Sequence, residues 1–247
     1  QKKLFSDFQK AYPTAKVYVH ELFNDSAKDV AFEKCYGVKK YPLIKWNEAN
    51  IIVALENDFL LTGGNVPEAT RLYAERRDVF KGTDFNRLYV VEGNMSLTGM
   101  NSDYRLRLRT DAIEEFVMSL AAELSRRGVQ MSANLGGYNL DDFSSRYMLN
   151  KESLNQMVSD LLANRGKSII SAGSSLPEST QIAVNMLNDA LGNTALYSFD
   201  NIIEGATSAP VPPTTAAGET QTEETTTTPA PTTTTQSTGS DFIMVNS

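Results

Sequence analysis

Apolar residues along this chain come in two patterns, short unbroken runs and helical repeats, and their alternation predicts the architecture. Leu4, Phe5, Phe8 and Tyr12 open the chain with a helical pattern. Lys16-Val17-Tyr18-Val19-His20 is rich in β-formers and reads as a strand, followed by a helix-like stretch over 26–34. Ile51–Leu55 is a continuous apolar run bounded by polar residues, as expected of a strand buried on both faces. Gly63-Gly64-Asn65-Val66-Pro67 then leads into a predicted helix over 68–80, with Pro67 near its first turn. Residues 88–91 form a second buried run, and residues 104–109 alternate with period two, as a strand with one wet face does.

The clearest helix has Ile113, Phe116, Val117, Leu120, Ala121 and Leu124 on one face. Asp111 with Glu114 suits a capping arrangement at its start, and Gly128 suits its end. Leu154, Met157, Val158, Leu161 and Leu162 mark another helix, closed by Gly166; the polar stretch 136–145 between the two reads as a loop or insertion. Ser168-Ile169-Ile170-Ser171-Ala172-Gly173 gives strand and turn. Pro177 opens a helix carrying Ile182, Met186, Leu187, Ala190 and Leu191, stopped by Gly192.

Strands alternating with helices predict an α/β fold, with a largely parallel sheet covered by helices on both faces. The expected domain spans 1–200, divisible into subdomains 1–130 and 148–200. From 201 to 240 the sequence becomes Thr, Pro, Ala and Glu with little to bury, a linker or long surface loop. Residues 241–247 read as the start of a truncated segment, and both chain ends as interruptions of a longer protein.

Composition narrows the chemistry. With 41% hydrophobic and 21% charged residues, the 247-residue chain can bury a core. It has no run of about 18 apolar residues, so no direct membrane insertion is expected. A net charge of −7 argues against nucleic acid as a partner, since phosphate neutralisation requires clustered Lys and Arg. Cys35 and His20 stand alone in their residue types. An iron-sulfur site with four cysteines, a Cys/His zinc site or a CxxC redox pair therefore cannot be built from this chain alone. Cys35 is expected to be buried or half-buried, and His20 structural or surface-exposed. Arg105, Arg107 and Arg109 form a stripe read as a solvated or salt-bridged face, and Arg71, Arg76 and Arg77 are read the same way.

In open parallel sheets, ligands lie beyond the carboxyl ends of the strands. Three segments qualify: Glu56-Asn57-Asp58, Glu92-Gly93-Asn94-Met95-Ser96 and Gly173-Ser174-Ser175. Glu92 or Glu56 suits a ribose hydroxyl, although neither comes with GxGxxG and Gly63-Gly64 is a poor substitute. Ser174 and Ser175 precede a helix start, where either phosphate binding or an ordinary N-cap is served. Ser174 lies outside any GxSxG elbow, with Ala172 and Leu176 flanking it at two residues, which argues against a hydrolase nucleophile.

The successive segments NEANIIVALENDFLLTGGNVPEATRLYAERRD, RLYVVEGNMSLTGMNSDYRLRLRTDAIEEFVMSLAAEL and KSIISAGSSLPESTQIAVNMLNDALGN resemble the nucleotide-binding half of molybdopterin oxidoreductases. With FSDFQKAYPTAKVYVHE at the start, the chain is most similar to the ActB-type, molybdopterin-oxidoreductase-like subunit of bacterial alternative complex III. The resemblance spans roughly 3–198. It implies the α/β domain that in active relatives grips a pterin guanine dinucleotide, in a subunit type whose iron-sulfur clusters sit in a separate C-terminal half. Active relatives commonly present G-x-N-P after one crest strand and D-P-R after the next; this chain has Glu56-Asn57-Asp58-Phe59 and Glu92-Gly93-Asn94. The resemblance thus implies a scaffold with no catalytic residues, no metal and no cofactor of its own, with Asn57, Glu92 and Ser174 as vestigial ligand positions. It further implies quinol oxidation by the assembled complex, partner subunits in the membrane and a place on the periplasmic face of the bacterial inner membrane. The alternatives are an active molybdopterin- or nucleotide-binding oxidoreductase domain and a stand-alone small-ligand-binding α/β module.

Overall fold

A computed structural model describes residues 2–15, 26–38, 40–80 and 82–199. The predicted strand at 16–20, His20 and the segments beyond 200 lie outside the described residues. The chain divides into a unit of Asn24–Gly205 and a second unit of Gln1–Phe23 with Ala206–Ser247. In the second unit, α1 (Lys2–Ala11) follows the apolar spacing at the start of the chain.

The first unit runs α2 (Ser26–Tyr36), β1 (Leu43–Ile44), β2 (Ile51–Leu55), α3 (Val66–Glu75), β3 (Arg87–Glu92), α4 (Leu97–Met100) and β4 (Tyr104–Arg107). It continues with α5 (Ile113–Arg126), α6 (Leu140–Arg146), α7 (Lys151–Ala163), β5 (Ser168–Ala172), α8 (Glu178–Ala190) and β6 (Tyr197–Ser198). Four strands form a parallel sheet in the order β4-β3-β2-β5, while β1 and β6 make a separate antiparallel pair.

Period-two alternation in the strands builds two cores. Val53 and Leu55 of β2, with Val91 and Ile170, face α5 to α8 and pack on Phe116, Leu120, Leu161 and Leu187. Ile52 and Ala54, with Leu88, Val90 and Ile169, face the other way, onto Phe32 of α2, Tyr73 of α3 and the stacked pair Trp46 and Phe59. Every residue of β2 and β5 is buried, as their unbroken apolar runs predict. The α/β class, the parallel sheet and helices on both faces are thus as expected.

Four local expectations are corrected. Residues 140–146 are helical, because the Asn139 side chain accepts from the Asp141 and Asp142 N–H groups and Leu140 and Phe143 are buried. Asp111 does not cap α5: it binds Arg109 at 2.5 Å within a 3-10 turn, and Ala112 occupies the cap position. The helix expected to reach residue 80 ends at Glu75, since Arg76 and Arg77 turn their side chains to the loop around Asp84 and Asn86, and Asp78 makes a turn to the Phe80 N–H. The strand expected over 104–109 stops at Arg107.

The β5 edge of the sheet is closed by a side chain. Asn188 of α8, fully buried, accepts from the Ile170 N–H at 3.0 Å and donates to the Ile170 carbonyl at 2.7 Å.

Candidate functional site

The chain passes from β2 outward through β3 to β4, then crosses back to place β5 on the other side of β2. This reversal makes the β2–β5 crevice the topological switch point, where open α/β sheets bind ligands. Strand ends meet closely there. The Gly173 N–H donates to the Leu55 carbonyl at 2.8 Å, and a Cβ on Gly173 would lie 1.9 Å from the Glu56 carbonyl oxygen, so only glycine fits. Glu56 itself turns into the left-handed region at φ 45°, which is uncommon for a side-chain-bearing residue.

A cleft of about 290 Å³ opens at this crevice. Asn57 and Ser171 form part of its floor, and the Asn57 amide donates to Ser171 Oγ at 2.7 Å. Ser174 and the Gly63-Gly64-Asn65 turn before α3 line it from above, and Lys28 and Tyr41 line its side. The Lys28 ammonium sits 4.1 Å from the centre of the Tyr41 ring. Enclosure by the cleft walls pulls its pKa down to about 8, with Asp29 acting in the opposite direction. Burial likewise pushes the Tyr41 hydroxyl up to about 12.

Asn57 and Ser174, two of the three vestigial ligand positions, therefore come together in one cleft. Glu92 does not join them. It is 3% exposed and accepts from Arg105 Nε at 2.6 Å, Ser96 Oγ at 2.6 Å and the Ser96 N–H at 3.2 Å. Glu56 accepts from the Gly93 N–H and Thr110 Oγ1, both at 2.8 Å. Asp58 accepts from the Thr98 N–H at 2.9 Å and Thr98 Oγ1 at 2.7 Å. Glu56 and Asp58 tie the loop after β2 to the loop after β3, and Glu92 ties the end of β3 to Ser96 and to Arg105 of β4. Neither Ser174 nor Ser175 caps α8, whose cap position is Pro177.

The arginine stripe is a salt-bridged face at Arg105 and Arg109, with Arg107 exposed; Arg71, Arg76 and Arg77 pair with Glu75, Asp84 and Asp103. Cys35, expected buried or half-buried, is exposed: it sits in the last turn of α2, and its Sγ faces Asn185 of α8 at 3.9 Å. Partial desolvation raises its thiol pKa, which disfavours the reactive thiolate. Sequence reasoning missed Lys28 and Tyr41, which belong to no local motif and reach the cleft only through packing on the α2 side of the sheet.

Among the described residues no group of three His, Cys, Asp or Glu side chains is placed to hold a metal, and no helix is long and apolar enough to cross a membrane. No protein-family profile matches the chain, and no curated protein does. Among solved structures it is similar to acetylene hydratase from Pelobacter acetylenicus, at a TM-score of 0.52 and 12% identity over 70% of this chain. The matched region spans 25% of that enzyme's chain. The likeness is one of fold: a mixed α/β domain with a four-stranded parallel sheet flanked by helices, shared with part of that enzyme.

Proposed function

We propose that this chain is a non-catalytic scaffold domain of a quinol-oxidising respiratory complex, the molybdopterin-like part of an alternative complex III subunit. Its role is to hold the electron-carrying iron-sulfur half of the subunit against membrane-embedded partners on the periplasmic face. One observation carries the scaffold part. The acidic groups at the ends of β2 and β3, which in a dinucleotide-binding crest are free for ribose hydroxyls, are spent on internal bonds: Glu92 on Arg105 and Ser96, Glu56 on Gly93 and Thr110. The cleft that remains, at about 290 Å³, lies at the lower bound for drug-sized ligands and is small for a pterin dinucleotide. The assignment to this complex rests on the sequence resemblance.

An active dinucleotide-binding domain is the competing reading, favoured by the meeting of Asn57 and Ser174 at the switch point. Elemental and pterin analysis separates the two. Iron without molybdenum or pterin in the purified full-length subunit, and neither in this segment, is the scaffold outcome. Stoichiometric pterin in the segment refutes it.

A further inference from the structure

On the face of the sheet covered by α5 to α8, a groove of about 430 Å³ is bounded by α5, α8 and the segment that follows α5. Its lining is mainly apolar and includes Met118, Met131, Ile182, Ala183 and Met186; methionine adapts readily to an incoming surface. Residues 129–135 alternate as a half-buried strand does. Val129 is buried and Met131, Ala133 and Leu135 are half-buried, whereas Gln130, Ser132 and Asn134 are exposed. No strand pairs with this segment, and the backbone N–H and carbonyl groups of residues 130–133 make no hydrogen bond among the described residues.

Charge narrows what can lie there. Glu114 in the first turn of α5 and Asp189 in the last turn of α8 line the groove, and among the described residues neither carboxylate has an ion-pair partner. No Lys or Arg lines it; Arg165, which donates to the Ala190 carbonyl at 3.1 Å, stands outside the lining. An acidic rim, an apolar lining and a strand-like segment with open backbone groups together suit an extended cationic chain whose alternate side chains are apolar.

We propose that this groove binds an extended peptide segment of a partner protein, which adds as a strand to residues 130–133, sets alternate apolar side chains into the groove and brings Lys or Arg to Glu114 and Asp189. The inference is independent of the scaffold reading, because it uses none of the residues at the carboxyl ends of the strands.

Fluorescence anisotropy tests it, using the full 247-residue chain and labelled, end-blocked peptides of the pattern Lys-x-Thr-x-Thr-x-Lys, with x as Val, Leu or Phe. The expected result is saturable binding of at least one peptide, with slowed amide hydrogen exchange at 130–133. N-methylation of alternate peptide residues removes the donors along one edge of the added strand. In one of its two registers it is expected to weaken binding about tenfold, and in the other to change it little. The same peptide with Glu in place of Lys is expected to bind more weakly, and the double variant Glu114→Lys with Asp189→Lys to reverse that preference. Both positions are exposed, and circular dichroism with thermal melting confirms that the variant folds. Absence of binding by all three peptides, equal affinity of the parent and both N-methylated forms, or an unchanged charge preference in the double variant overturns the proposal. A dimer of the free chain that Met186→Lys dissociates, seen by light scattering, also overturns it, because a second copy then covers the groove.

Discussion

Replacing Arg105 by Met tests whether the crest carboxylates are structural. Glu92 is 3% exposed and its partner Arg105 21% exposed, so the pair is largely removed from water. Taking away the guanidinium leaves a buried carboxylate with only the Ser96 N–H and Oγ as donors. Breaking a buried pair from one side costs about 3–5 kcal/mol, because the remaining charge is uncompensated. Glu92→Gln loses a charge-assisted bond, about 1.5–3 kcal/mol. The double variant Glu92→Gln with Arg105→Met is expected to be more stable than Arg105→Met alone, since the stranded charge is gone. Urea denaturation at fixed pH is the assay. With a slope of about 2 kcal/mol/M, the Arg105→Met midpoint falls by roughly 1.5–2.5 M. A loss under about 1 kcal/mol for Arg105→Met, or single-variant losses that simply add in the double variant, refutes the view that Glu92 is committed to holding the β3 and β4 ends together.

Gly173→Ala drives a Cβ onto the Glu56 carbonyl, and backbone on both sides leaves little room to yield. An overpacking cost of about 1–3 kcal/mol or more is expected, read as a lower thermal midpoint; a midpoint unchanged within error contradicts the close approach. Asn139→Ala removes the cap of α6 and should cost about 1 kcal/mol in urea denaturation, whereas the reading of 136–145 as a loop predicts no effect. Lys28 gives a pH signature. Its folded pKa near 8 lies below the ordinary 10.5, so the unfolded chain binds more protons between those values. Wild-type stability relative to Lys28→Met should therefore rise from pH 8 to pH 10, and a flat difference would show that the ammonium is freely solvated.

The sequence revealed those elements whose burial is written in consecutive residues. IIVAL and SIISA are apolar or small at every position because both faces of β2 and β5 are covered, and α5 shows its stripe because it spans four turns against the sheet. The short elements were harder to read. In α6 only Leu140 and Phe143 mark the inner face, and the helix depends on a single cap after a glycine pair. Strands β1 and β6 have two residues each and pair Leu43 with Ser198, a register that no local pattern encodes. The candidate site was half legible. Asn57 and Ser174 follow the strands that flank the switch point, so the rule for open sheets locates them. Glu92 follows a strand too, but Arg105 on β4 claims it, and Lys28 reaches the cleft from a helix whose apolar pattern is weak.

The Asn188 amide on Ile170 bears on how the chain can be assembled safely. Until α8 is in place, β5 presents the free backbone of an Ile-Ile strand, the kind of edge onto which other chains add. Because α8 follows β5 in the chain, synthesis exposes that edge for the time needed to make and dock one more helix. Afterwards the amide occupies the peptide group that an incoming strand would need, and the opposite edge offers only the four residues of β4, two of them arginines. The vulnerable period of this domain is therefore the interval between the making of β5 and the docking of α8, and it ends when a single asparagine takes the place of a neighbouring strand.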